Sequence, residues 1–162
     1  YHDDNAIFAV HANELTEAHL HLTHEATTML DSVDQAPSPI SKALFEIVPE
    51  KMDALYRYVS TQPWASQYEI VSSSSYLLEL TARGACKGDM VRRLADMLHI
   101  APRNLYCVGD HANDIGMLMA SAIPFAPENA IESVRRVPGV HILPDARKGA
   151  VAALIRELDA RY

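Results

Sequence analysis

The chain has 162 residues, 49% of them hydrophobic, and a net charge of −7 with histidine neutral. That length supports one ordinary domain, or a small domain plus part of another, and the negative charge argues against nucleic acid or an anionic membrane as the main partner. No apolar run approaches membrane-spanning length, no signal-peptide pattern opens the chain, and the two cysteines, Cys86 and Cys107, lack metal or redox spacing and read as reduced thiols of a cytoplasmic protein.

Tyr1, not Met, opens the sequence, and strand-like apolar content arrives at once in "NAIFAVHA" (Asn5 to Ala12), after the polar "HDDN". An independent domain more often begins with a loose lead, so the chain is expected to be a fragment. Residues 13–39 carry a weak pattern that fits a helix or a mixture, and "APSP" marks a loop. From Ile40 the pattern sharpens. In "ISKALFEIV", Ala43, Phe45 and Ile47 share one face and Lys42 and Glu46 the other, which predicts a strand with one buried face. Pro49 suits a first helical turn, and Met52, Leu55, Tyr56 and Val59 follow at helical spacing. "YEIVSSSSYLLEL" then reads as two short strands, the second with Tyr76, Leu78 and Leu80 on one face. The series predicts a small antiparallel sheet with helices on one side.

The grammar changes near residues 81–86, which places a domain boundary there: 1–83 and 84–162. Residues 87–100 carry a stripe of Met90, Val91, Leu94, Met97 and Leu98 at helical spacing. "NLYCVG" is an almost unbroken apolar strand of the kind found in a parallel sheet covered on both faces. A helix over "NDIGMLMAS", an extended "IPFA", a helix over "NAIESVRRV", a strand at "VHILP" and a last helix with Val151, Leu154, Ile155 and Leu158 on one stripe complete the chain. Alternation of strand and helix predicts a parallel α/β layer.

In an open α/β sheet, ligands bind beyond the carboxyl ends of the strands. Asp110 stands at that end of the "NLYCVG" strand, and Asp114 in the first turn of the next helix, where the dipole favours a carboxylate. Mg²⁺ takes one or two carboxylates along with water and substrate phosphate. Asp110 can therefore ligate a cation directly, while Asp114 can ligate it, hold a bound water, or hold the loop. The Asn113 amide can donate to a phosphate oxygen. The same residues also suit simple helix capping. Lys87 stands at a helix start, an unfavourable end for a cation, followed by Gly88, which lets backbone come close. It can point back into a phosphate site as a compact charge, or sit in solvent as a surface lysine.

Taken together, "GACKGDMVRRLADML" and "NLYCVGDHANDIGML" resemble the haloacid dehalogenase-like hydrolases, specifically the Cof-type sugar-phosphate phosphatases. Lys87-Gly88 matches the third motif of that family. Gly109, Asp110, Asn113, Asp114, Met117 and Leu118 match the fourth. The resemblance covers residues 40–162 well and 1–39 loosely. It implies an α/β cap over 1–83 and the distal half of a doubly wound, Rossmann-like core over 84–162. It also implies Mg²⁺ held by Asp110 with Asp114, phosphate contacts from Lys87 and Asn113, catalysis that uses Lys87, and a small phosphorylated metabolite as substrate. Two departures stand out: "IPFAPENA" keeps Ala126, Asn129 and Ala130 but lacks the usual Gly and Met, and the usual Glu-Asp-Gly-Val is Arg147-Lys148-Gly149-Ala150.

The first two motifs of the family, an Asp-x-Asp carrying the nucleophile and a phosphate-binding Ser or Thr, are missing from the sequence. "HDD" at His2 to Asp4 has adjacent carboxylates, not the spaced pair. The resemblance places both motifs ahead of the cap, so the fragment is expected to lack its nucleophile and to be inactive alone. A non-catalytic remnant that binds a ligand or partner is the alternative. The 105–109 strand would lose its central neighbour, and its edge is expected to pair with the missing half-core or with another copy. His11, His19, His21, His24 and Glu25 form a weak zinc pattern, better read as scattered polar residues. Met90, Met97, Met117 and Met119 are expected in the core, Trp64 in packing, and "VRRV" (Val134 to Val137) on a solvated face.

Overall fold

Parallel strands dominate the second part of the chain and an antiparallel sheet the first, in a computed structural model that describes residues 6–23 and 26–161. The acidic "HDD" and the His24–Glu25 end of the histidine cluster lie outside the described residues. Two units divide the chain, Tyr1–Arg83 and Gly84–Tyr162.

In the first unit, strand β1 (Ile7–Val10), helix α1 (Glu14–Thr23) and strand β2 (Thr27–Leu30) make a parallel pair, with Ile7 opposite Thr27. The poorly patterned stretch after residue 13 is therefore a helix followed by a strand. Its helix starts where a cap dictates: Asn13 Oδ1 accepts from the backbone N–H groups of Leu15 (2.9 Å) and Thr16 (3.1 Å). Next come β3 (Lys42–Glu46), α2 (Pro49–Ser60), β4 (Tyr68–Ser72) and β5 (Leu77–Ala82), with the strands in antiparallel order β3-β5-β4. Met52 and Val59 of α2 close over Leu78 and Leu80, joined by Ala43, Ile47, Leu55 and Ile70. Pro49 takes the first helical position, where its missing N–H costs nothing. Phe45 shares the alternation of Ala43 and Ile47 yet is 37% exposed and stands outside the cluster that α2 covers.

The second unit opens with α3 (Lys87–Met97) and continues through β6 (Tyr106–Val108), α4 (Ile115–Ala120), β7 (Ile123–Pro127), α5 (Glu132–Arg135), β8 (His141–Leu143) and α6 (Ala150–Asp159). The strands are parallel in the order β6-β7-β8, so β6 has one neighbour among the described strands. Cys107, Leu118, Ala126, Ala130, Val134 and Val137 form one core cluster; Phe125, Leu143 and Ala150 form another. This is the expected mixed α/β architecture, an antiparallel sheet followed by a Rossmann-like parallel one.

Four packing expectations fail. The "VRRV" valines are core, while Arg135 and Arg136 between them turn outward to Glu132. On α3 the buried positions are Gly88 and Ala95, with Val91 packed alongside, whereas Met90, Leu94, Met97 and Leu98 are exposed, Met97 to 77%. A close helix–helix seat selects small residues and leaves the large ones on the other side. Met119 is exposed too, and only Met117 of the four methionines packs against the core. On α6, Leu154 and Leu158 face the sheet while Val151 and Ile155 are exposed. Among the described residues, no helix is long and apolar enough to cross a membrane.

Candidate functional site

The turn after β6 is organised around a buried carboxylate. Asp114 is 4% exposed, and its Oδ2 accepts the backbone N–H groups of Asp110 (2.9 Å) and His111 (3.3 Å). Its Oδ1 accepts from Lys87 Nζ at 2.6 Å. Burial pushes this carboxyl up, but the Lys87 hydrogen bond, the two backbone N–H groups and the Lys87 charge outweigh it, and Asp114 titrates below its ordinary range. The side chain lies so close to the strand end that position 109 must be glycine: a Cβ there would sit 2.4 Å from the Asp114 Cβ.

Lys87 and Asp114, 27 residues apart in sequence, are thus brought together, and Asp110 joins them through its backbone. The Asp110 side chain is exposed, with no hydrogen-bond or ion-pair partner among the described residues. Asn113 lies in the short 3₁₀ turn Ala112–Asp114, and its Oδ1 is buried without a partner. A buried acceptor left unpaired costs about 1–3 kcal/mol. Both oxygens of Asp114 are engaged, so the carboxylate left open at this end of β6 is that of Asp110. An exposed carboxylate at the carboxyl end of a parallel strand suits a small hard cation.

Sequence reasoning missed Gly116. A Cβ on Gly88 would lie 2.7 Å from the backbone carbon and 2.8 Å from the backbone oxygen of Gly116, so the first turns of α3 and α4 meet backbone to backbone. The available signal was a glycine inside each of two helical patterns, where it costs about 1 kcal/mol against alanine. Asn129, noted only as a retained motif residue, accepts the N–H of Ala146 through Oδ1 at 2.8 Å and so ties the chain after β7 to the loop after β8. Cys86 donates its thiol to Asp89 Oδ2 at 3.3 Å.

The first unit has its own cavity of about 320 Å³, bordered by Phe8, Leu20, Phe45 and the hydrogen-bonded pair His19 Nδ1–Glu46 Oε1 (2.5 Å). His11 borders it as well. Among the described residues, no group of three or more His, Cys, Asp or Glu could hold a metal ion. Trp64 packs edge-on to Tyr68, ring centres 5.9 Å apart.

The haloacid dehalogenase-like hydrolase family matches residues 1–155, and the chain belongs to that family. It is 28% identical over 130 residues to the chloroplastic endoribonuclease YBEY of Arabidopsis thaliana, covering 79% of this chain and 22% of that protein. It is 32% identical over 114 residues to the phosphatase YwpJ of Bacillus subtilis, covering 70% of this chain and 39% of that protein. A solved subclass IIB sugar phosphatase of the same superfamily superposes with a TM-score of 0.78 at 17% identity, over 98% of this chain and 59% of its own. The chain thus spans between a fifth and two fifths of these two curated relatives.

Proposed function

We propose that this chain is the cap (1–83) and the distal half-core (84–162) of a Mg²⁺-dependent phosphatase of small phosphorylated metabolites, with sugar phosphates as the substrate class. The observation that carries the reading is the Lys87–Asp114 contact beside the open Asp110 carboxylate at the carboxyl end of a parallel strand. Asp110 would hold the divalent cation, with Asp114 in support through the turn that it fixes. When bound, Mg²⁺ supplies positive charge that offsets charge on a transferring phosphoryl group.

The chain's own residues do the rest. Asp114 fixes Lys87 Nζ, so the lysine presents its remaining N–H donors to a phosphate without reorganising. Asn113 can swing its amide to a phosphate oxygen. A dianionic ester at this site would meet a lysine held in place through its ammonium and exposed over half its side chain. The attacking carboxylate, an aspartate that would carry the phosphoryl group in the parent protein, has no counterpart in this sequence, which contains no Asp-x-Asp. The reading therefore assigns the nucleophile to a preceding half-core that pairs with the open edge of β6, places the parent in the cytoplasm, and makes this chain inactive alone.

That missing Asp-x-Asp equally supports a reading of another class, a non-catalytic remnant that binds a ligand or a second copy through the β6 edge. The test is hydrolysis of a generic phosphate ester with Mg²⁺ by the 162-residue chain and by the longest open reading frame containing it. The phosphatase reading expects turnover only from the longer protein, abolished by Asp110→Ala. Robust turnover by the short chain would sink it, and a start codon at or near Tyr1 would favour the remnant.

A further inference from the structure

We propose that Gly88 is a positioning residue: the absence of a side chain there seats the first turn of α3 on the backbone of Gly116, and that seat is what delivers Lys87 to Asp114. A lysine has four rotatable carbons and no intrinsic reason to hold one geometry. Its Nζ nonetheless lies 2.6 Å from a carboxylate oxygen that is itself fixed by two backbone N–H groups. What sets the reach is the separation of two helix starts, and that separation is set at Gly88.

The two sides of the contact are not equivalent. A Cβ on Gly88 would meet Gly116 backbone at 2.7, 2.8 and 3.1 Å, atoms that cannot rotate away. A Cβ on Gly116 would meet only the Cα and N of Gly88, at 3.7 and 3.9 Å, which is ordinary contact. Alanine at 88 must therefore part the helices and carry Lys87 with them, whereas alanine at 116 fits. Valine at 116 adds two methyl groups that have to share the same seat, and parts the helices from the other side.

The catalytic meaning of the contact rests on the phosphatase reading, but the contact itself can be measured without it. Reductive methylation of the purified chain, quantified by mass spectrometry at each lysine, reports how far each amine is tied up. The chain has Lys42, Lys51, Lys87 and Lys148, so exposed Lys51 and Lys148 serve as internal references. Asp114→Asn sets the rate of a released Lys87, expected about two- to fivefold above the parent sequence for a half-exposed ion pair. Gly88→Ala should raise the Lys87 rate towards that value with the references unchanged, and Gly116→Ala should leave it alone. If Gly88→Ala does not fold, the comparison of Gly116→Ala with Gly116→Val decides, and only the valine should release Lys87. A folded Gly88→Ala that keeps the original Lys87 rate overturns the proposal. So does a Gly116→Ala that releases Lys87 as fully as Gly88→Ala, or a Gly116→Val no different from Gly116→Ala.

Discussion

Replacing Lys87 with methionine removes a charge while keeping most of the stem's bulk, and the structure sets the expected cost. Asp114 would be left 4% exposed with two backbone N–H groups on Oδ2 and nothing on Oδ1. Breaking a fully buried ion pair costs about 3–5 kcal/mol; an exposed one is worth about 0.2–1 kcal/mol. The pair here joins a buried carboxylate to a lysine whose side chain is 51% exposed, so water can replace the ammonium in part. About 1–3 kcal/mol is expected, read as a lower urea midpoint and as faster amide exchange at residues 109–120. The pH dependence has a definite sign. In the unaltered chain Asp114 is depressed, so its contribution is fully present above the ordinary carboxylate range near about 4 and is lost as pH falls through its lower folded value. Without Lys87, burial gains weight, the carboxyl rises, and the acid loss begins at higher pH. Equal urea midpoints at neutral pH together with superimposable acid profiles would refute this account of Asp114.

Gly109→Ala places a methyl group 2.4 Å from the Asp114 Cβ, and overpacking of that kind should cost about 1–3 kcal/mol, seen as a lowered urea midpoint. Phe125→Ala empties the site of a fully buried ring and should cost about 3–5 kcal/mol, melting the 84–162 unit first in amide exchange. Met97→Glu, at a side chain 77% exposed, should change stability by less than about 0.5 kcal/mol and raise solubility; a loss above 1 kcal/mol would mean that this face of α3 is covered in solution.

Most of the architecture was legible because it rests on period. The alternation in 40–47 and at Leu78 and Leu80, the helical spacing after Pro49 and the apolar "NLYCVG" each match an observed element. The 13–39 stretch was opaque because α1 is weakly amphipathic and its start is marked by a single capping asparagine. The α3 and α6 stripes misled for a different reason. Periodicity identifies an apolar face but not what covers it, and at Gly88 the neighbour is the backbone of Gly116, which leaves no room for a side chain, so the buried positions of α3 are Gly88 and Ala95 rather than methionine and leucine. Val134 and Val137 were hidden by the arginines between them. At the site, the residue types pointed to Lys87, Asp110, Asn113 and Asp114, but no spacing rule reveals that Asp114 spends both oxygens on Lys87 and the turn, leaving Asp110 open.

The β6-β7-β8 order has a consequence for how the second unit comes to be folded. Tyr106 pairs with Ile123, and Phe125 with His141, so spatial neighbours are also successive along the chain. Each pairing closes a loop of under about twenty residues, which keeps the entropic toll of ring closure small and the contact order low for a parallel sheet. The carboxyl-terminal half can then assemble from its own local information, strand by strand, as it leaves the ribosome.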